Sequence, residues 1–367
     1  MRIDKLTLQN FRNYTEQTVA FAPESNVIVG ENAQGKTNLL EAVSYLSRGK
    51  SDRARADREL IRFGESEARL RGEVCSRGRE FAVEARLYAG RRRKLTVNQV
   101  PAKRGSDLSG VLGTVFFCPE DLQLIRDGAA ARRRFMDQAL CQLRPRYASA
   151  LAEYNRLYEH KTRILRDSGD SPALLDALPE FNTRMAIAGA VLVHYRARFC
   201  ARLADFAGTA HRECSGGRED LALRYETVKT VTDPFAEQGE LIERLLAHQK
   251  AHEQAELAAR LCLSGPHKDD IAVDVGGGAA RQYASQGQTR TAALAFKLAE
   301  REIYKEITGQ TPVLLLDDVL SELDPKRQEF VLSRISGGQV LITCCEEDRL
   351  GSLAAGKVLR VRGGEVR

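Results

Sequence analysis

The sequence predicts an α/β fold: a nucleotide-binding head built on a buried parallel sheet and split in two by a long, mainly helical insertion. Three observations predict it. The apolar run Val27-Ile28-Val29 leads into Gly30-Glu31-Asn32-Ala33-Gln34-Gly35-Lys36-Thr37, which meets every fixed position of G-x-x-x-x-G-K-[ST], and a helix-like stretch follows from Asn38 to Leu46. A second apolar run, Val313 to Leu316, ends in Asp317 and Asp318, as expected of a strand buried on both faces with acids at its C-terminal edge. Between these two segments lie apolar stripes at helical spacing.

The first segment is a phosphate loop in its proper strand, loop, helix context. Glycines let backbone N–H groups wrap a phosphate, and the helix N-terminus behind them favours anions. Lys36 is expected to reach the terminal phosphates and the Thr37 hydroxyl to hold Mg²⁺. The candidate contacts to ATP are therefore Gly30, Glu31, Asn32, Ala33, Gln34, Gly35, Lys36 and Thr37. Asp317 is the expected partner of Thr37 in holding Mg²⁺ and its waters. Asp318 is the expected general base or water-positioning residue, which makes Lys36 and Asp318 the candidate catalytic pair. A glycine turn before a surface helix, or a core strand ending in Asp, carries little alone; the two together define a nucleoside triphosphate site.

The segment Ser285-Gln286-Gly287-Gln288 opens a strongly helical stretch, Thr289 to Thr308, with Ala292, Leu294, Ala295, Leu298, Ala299 and Ile303 as apolar positions. It resembles the signature motif of the ABC ATPase superfamily. The resemblance implies that Ser285, Gly287 and Gln288 of one subunit face the phosphate loop of another, clamping ATP between two heads. Ser321-Glu322-Leu323-Asp324 similarly resembles the D-loop that runs along the same interface, with Asp324 as a further nucleotide-side residue. An ATP-dependent homodimer follows.

The long separation of Lys36 from Ser285 is similar to the split heads of Rad50, SMC and RecF proteins, and unlike the closer spacing of transporter subunits. Several segments are similar to the RecF family in particular: Leu6 to Tyr14, Phe117 to Leu122, Arg132 to Asp137, Gly265 to Asp270 and Leu316 to Asp324, in the family's order along almost the whole chain. The resemblance implies an ABC-type P-loop ATPase head, Rad50/SMC-like, carrying an inserted helical arm. The expected division is residues 1–130 for the first half of the head, 131–255 for the arm and 256–367 for the second half. It further implies ATP-dependent binding of gapped, duplex or single-stranded DNA in recombinational repair and replication, with RecR and RecO as partners, RecA loading as the outcome, and a weak, switch-like ATPase. An SMC-like scaffold is disfavoured by the short arm, and a transporter ATPase by the long insertion.

Four departures from the family pattern stand out. Asp52 occupies a place in Gly49-Lys-Ser-Asp-Arg53 where an aromatic or His is usual. The switch position of Val340-Leu-Ile-Thr-Cys-Cys-Glu346 holds Cys344 and no His, the Gln-loop position falls at Cys118-Pro119, and Asp318 replaces the usual Glu. The shorter carboxylate argues for slow hydrolysis.

Composition agrees. Hydrophobic residues make up 43% and charged residues 29%, with a net charge of +6, a weak bias toward polyanions. Basic residues cluster at Arg53, Arg55 and Arg58, at Arg91 to Lys94 with Lys103 and Arg104, and at Arg132 to Arg134, each either a phosphate-contacting patch or a solvated face. Eight scattered cysteines without C-x-x-C spacing predict reduced thiols, with no zinc site and no disulfide framework. An apolar stretch long enough to span a membrane is not found, and a cytoplasmic location is expected. In the insertion, Leu143, Tyr147, Leu151, Tyr154, Tyr158 and Leu165 form one stripe, and Phe181, Met185, Ala188, Leu192, Tyr195, Phe199, Leu203 and Phe206 a second, predicting two antiparallel helices around the break at Arg166 to Pro172. A strand at Leu221 to Val228 and a helical return from Phe235 to Leu263 complete it. His267 is expected to stabilise a turn.

Overall fold

The structure, a computed structural model, describes residues 1–108, 110–345 and 356–367. The chain forms two compact units: Met1–Gln123 with Ala293–Arg367, and Leu124–Ala292. Packing thus draws its boundaries after Gln123 and Ala292, while the division expected from the motifs falls after residues 130 and 255.

In chain order, the first unit supplies strands β1 (Arg2–Phe11), β2 (Tyr14–Ala20) and β3 (Ser25–Val29), helix α1 (Lys36–Arg48), and strands β4 (Glu67–Ser76), β5 (Arg79–Tyr88), β6 (Lys94–Val97), β7 (Val100–Ala102) and β8 (Thr114–Phe117). The second unit follows with helices α2 (Ala129–Leu143), α3 (Pro145–Asp167) and α4 (Leu178–Ser215), strand β9 (Leu221–Glu226), helix α5 (Gln238–Ala259), strands β10 (Asp270–Val275) and β11 (Gly278–Ala279), and the short helix α6 (Ala280–Tyr283). Helix α7 (Gln286–Thr308) begins in the second unit and ends in the first. The chain closes with β12 (Val313–Asp317), α8 (Pro325–Arg334), β13 (Val340–Cys344), β14 (Lys357–Arg362) and β15 (Glu365–Val366).

Two sheets build the first unit. One has the order β15-β14-β3-β13-β12-β8, and its five strands from β14 to β8 are parallel. The apolar run Val313–Leu316 explains why: Val313 and Leu315 enter one core cluster while Leu314 and Leu316 enter another, so β12 is buried on both faces. Such continuous runs are the mark of a parallel strand. The other sheet, β2-β1-β4-β5-β6-β7, is antiparallel throughout and alternates apolar-in with polar-out. Its inner residues Leu6, Leu8, Leu70, Ala85 and Leu95 share a core with Leu39 and Val43 of α1 and with Val313 and Leu315. On the far face of the parallel sheet, Leu294 of α7 and Val331 of α8 complete the second core. Layers of antiparallel sheet with α1, parallel sheet, and helices result.

The second unit is mainly helical, with a small antiparallel sheet β11-β10-β9. Helices α3 and α4 pack on each other, as do α4 and α5. Tyr147, Tyr154 and Leu165 of the first expected stripe are buried, but Leu143 closes α2, because Arg144-Pro145 starts a new helix there. From the second stripe Met185, Ala188, Leu192, Phe199 and Leu203 are buried. Polar anchors hold the unit together. Arg196, 2% exposed, donates to Asp269 Oδ2 at 2.9 Å, to Asp137 Oδ1 at 2.8 Å, to Tyr147 Oη at 2.9 Å and to the carbonyl of Pro266 at 2.8 Å. Burial alone would depress its guanidinium, but Tyr147, Asp137 and Asp269 around it hold it above the ordinary value. Arg132 lies equally deep, paired in a fork with Asp270 at 2.7 and 2.8 Å, so this member of the Arg132–Arg134 cluster serves the fold.

Candidate functional site

The loop Gly30–Thr37 sits between β3 and α1, at the C-terminal edge of the parallel sheet, where open α/β sheets bind ligands. Glycine is needed at both of its fixed positions. A Cβ on Gly30 would lie 2.4 Å from the Val361 carbonyl oxygen, and Gly35 has φ +120° with Asn13 Nδ2 where a Cβ would meet it at 2.7 Å. The loop is pinned from outside by two turns. Asn13 Nδ2 donates to the Gln34 carbonyl at 2.8 Å and the Tyr14 hydroxyl to the Gly35 carbonyl at 2.9 Å, while Gly363 N–H donates to Gln34 Oε1 at 2.6 Å. Burial pushes the Tyr14 hydroxyl up and keeps it a donor. Gln34 therefore spends its side chain on the fold; Ala33 takes a left-handed φ of 64°.

Lys36 is only 4% exposed. Its ammonium donates to the carbonyls of Gly30 at 2.6 Å and Glu31 at 3.2 Å, lies 3.4 Å from Cys345 Sγ, and stands 3.9 Å from Asp318 Oδ2. Cys345 Sγ in turn reaches Asn32 Oδ1 at 3.1 Å. The Thr37 hydroxyl donates to Asp317 Oδ1 at 2.9 Å, and the Thr343 hydroxyl donates to the same oxygen at 2.9 Å while accepting from the Asp318 N–H at 2.8 Å. Burial raises the Asp317 carboxyl; the bonds from Thr343 and Thr37 act against that rise. Asp318 leaves the strand with a left-handed φ of 50°, which turns its side chain from the sheet toward Lys36. The structure therefore brings Lys36, Thr37, Asp317 and Asp318 together around one loop.

The remaining candidates have contacts of their own. Ser285 and Gln288 lie in the second unit, where Ser285 Oγ accepts from the Gln288 N–H at 3.2 Å and Gln288 Oε1 accepts from the Ser285 N–H at 2.7 Å. This reciprocal pair is a capping box that starts α7. Gly287 sits in the first turn, its carbonyl accepting from the Thr291 hydroxyl at 2.9 Å. Ser285 is exposed. Asp324 caps α8, accepting from the Arg327 N–H at 3.1 Å and pairing with the Arg327 side chain. Asp52 is paired with Arg48. At the Gln-loop position the Cys118 N–H donates to Asp121 Oδ2 at 3.0 Å, and burial pushes the thiol up. Of the switch segment, Cys344 ends β13 and Glu346 lies outside the described residues.

Sequence reasoning missed Asn13, Tyr14, Thr343 and Cys345. Asn13 and Tyr14 were legible only as part of a family segment. Thr343 was hidden by its place in an apolar strand, and the thiol beside Lys36 belongs to Cys345, one residue beyond the switch position assigned to Cys344. Among the described residues, no group of three or more His, Cys, Asp or Glu could hold a metal ion, no helix is long and apolar enough to cross a membrane, and all eight cysteines are free.

Known proteins match this arrangement over its full length. The model of the RecF/RecN/SMC N terminal domain family matches residues 2–362. The DNA replication and repair protein RecF of Agathobacter rectalis is 40% identical over 370 residues, covering 100% of this chain and 99% of the relative. That of Symbiobacterium thermophilum is 39% identical over 371 residues, covering 100% and 98%. A solved structure described as the recombination mediator protein RecF-ATPrS in the RecFOR pathway superposes with a TM-score of 0.92 at 32% identity, covering 100% of this chain and 97% of that one. An Smc head domain from Pyrococcus furiosus, at 16% identity and a TM-score of 0.56, shares the fold. This chain belongs to the RecF family of DNA replication and repair proteins.

Proposed function

We propose that the chain is an ATP-gated DNA-binding switch of recombinational repair: ATP closes a dimer, the dimer holds gapped or duplex DNA, and slow hydrolysis releases it. The observation that carries this reading is the convergence of the Lys36 ammonium, the Thr37 hydroxyl and the carboxylates of Asp317 and Asp318 on one phosphate loop. Solved RecF structures described as bound to ATP and ATPrS, superposing at TM-scores of 0.91 and 0.92, support ATP as the ligand.

Each residue has a proposed task. Lys36 now donates to loop carbonyls; the charged oxygens of a triphosphate are stronger acceptors and would take those bonds over. Backbone N–H groups from Gly30 to Thr37 would hold the phosphate oxygens. Thr37 Oγ1 and Asp317 Oδ1, two hard oxygens 2.9 Å apart, fit Mg²⁺, which needs few protein donors besides phosphate and water. Bound there, Mg²⁺ would neutralise charge on the phosphate oxygens. Asp318, 30% exposed and anchored by Thr343, would orient the attacking water and accept its proton. Ser285, Gly287 and Gln288 at the exposed start of α7 would meet the triphosphate of a second chain, with Asp324 beside that interface. The proposed functional division is residues 1–130 and 256–367 for the two halves of the head and 131–255 for the arm. Family membership supports RecR and RecO as partners and RecA loading on single-stranded DNA as the outcome, in the cytoplasm.

Sedimentation with ATP tests the clamp. Wild-type chain should dimerise, whereas Ser285→Arg should bind nucleotide as a monomer. Mixing Ser285→Arg with Lys36→Ala should restore one composite site, since the intact signature of the second chain can face the intact loop of the first. Dimerisation of Ser285→Arg at wild-type strength would refute action in trans.

A further inference from the structure

We propose that Glu219 is a positioning residue for the signature segment: it fixes which end of the Gln288 amide faces Ser285, and so holds Ser285 for the triphosphate of a second chain. The inference rests on the dimer reading above and adds to it a control point in the arm.

The Gln288 side chain is used at both ends. Its Oε1 accepts from the Ser285 N–H at 2.7 Å, and its Nε2 donates to Glu219 Oε1 at 3.0 Å. The Ser285 N–H lies ahead of α7, where no intrahelical carbonyl receives it, so its aim depends on that one bond. An amide presents one accepting and one donating end, whereas an ionised carboxylate only accepts. Glu219 therefore selects the nitrogen, and the oxygen is left for Ser285. With the amide reversed, Nε2 would face the Ser285 N–H, donor against donor, and the capping box would open. A charged acceptor makes this selection roughly twice as strong as a neutral one.

Glu219 is itself held in place. Helix α4 ends at Ser215, followed by Gly216 and Gly217 at left-handed φ of 70° and 78°. The Gly216 N–H donates to the Glu213 carbonyl at 3.1 Å and the Gly217 N–H to the Arg212 carbonyl at 2.7 Å, the pattern of a Schellman end. Beyond that turn the Glu219 N–H donates to Ser215 Oγ at 3.4 Å, and the Asp220 carbonyl accepts from the Gly276 N–H at 2.9 Å. Behind the carboxylate, the buried His211 of α4 has its Nε2 3.5 Å from Glu219 Oε2. An acid from the proposed arm thus reaches the start of α7, and His211, Glu219, Ser285 and Gln288 all belong to the same compact unit.

The test is sedimentation of Glu219→Ala with ATP, alone and in mixtures. One capping bond weighs about tenfold, so two weakened sites should cost dimerisation about 100-fold, with ATP binding by the monomer unchanged. Glu219→Gln keeps a neutral acceptor and should lose no more than about tenfold. Mixing Glu219→Ala with Lys36→Ala should restore one composite site, because the second chain supplies an intact signature; mixing it with Ser285→Arg should not. A merely structural lesion in Glu219→Ala would spoil both mixtures alike. Dimerisation of Glu219→Ala at wild-type strength, or equal failure of both mixtures, while Ser285→Arg stays monomeric, would overturn this inference alone. Dimerisation of Ser285→Arg at wild-type strength would sink it together with the trans reading on which it rests.

Discussion

Acid should loosen the second unit through His267, and by an amount the geometry sets. The ring Nε2–H donates to the Cys262 carbonyl at 3.1 Å, and Nδ1 accepts from the Tyr154 hydroxyl at 2.8 Å, so the neutral imidazole is fully used. Burial lowers its pKa from 6.5 to about 4; the Cys262 carbonyl opposes the drop, and the charges of Lys268 and Arg133 add to it. A folded pKa below the unfolded one means that the unfolded chain takes up the proton first. The stability is then full above pH 6.5 and is lost as pH falls toward 4. At about 1.4 kcal/mol per pH unit the whole difference amounts to about 3 kcal/mol, of which about 2 kcal/mol is already gone at about pH 5.

The assay is urea unfolding of the full chain, followed by helical circular dichroism, at about pH 7.5 and about pH 5. His267→Gln keeps a donor and an acceptor but cannot titrate. The wild-type chain should lose about 2 kcal/mol more between the two pH values than this variant does. Equal losses would show that His267 is not the acid-sensitive group.

Two further perturbations probe the site and the arm. Asp318→Asn should bind ATP and form the closed dimer yet hydrolyse at least ~100-fold more slowly in single-turnover kinetics, the usual contribution of a general base; wild-type turnover would remove Asp318 from that role. Arg196→Leu leaves Asp269 buried without its cation, at a cost of about 3–5 kcal/mol in urea unfolding. Adding Asp269→Asn should recover part of that loss, and a single variant within about 1 kcal/mol of wild type would contradict the network.

The phosphate loop and the Val313–Asp318 strand were legible because each packs its chemistry into one contiguous segment with a period that betrays its setting. Ser285 and Gln288 were legible as a helix start as well, since S-x-x-Q is itself a capping box. What stayed hidden comes from distant segments meeting. Gln34 is held by Asn13 from the first hairpin and by Gly363 from the last, and no local pattern links them. Arg69, Arg86 and Lys94 are likewise brought opposite one another by register alone, although Lys94 stood out along the chain as part of the Arg91–Lys94 cluster. Of the clusters that stood out, Arg132 is committed to Asp270 and Arg93 to Asp57.

Such commitments also bear on the proposed switch. The Lys36 ammonium is buried against two carbonyls and a thiol, and in the proposed switch ATP would enter by exchanging those neutral acceptors for charged oxygens. Asp318 shares the same neighbourhood, 3.9 Å from Lys36. With Lys36 held by phosphate, the carboxylate would be left to face the water. On the proposed reading, one lysine thus couples occupancy of the loop to the readiness of its base, and the short Asp318 side chain keeps the ensuing hydrolysis slow enough for a clamp.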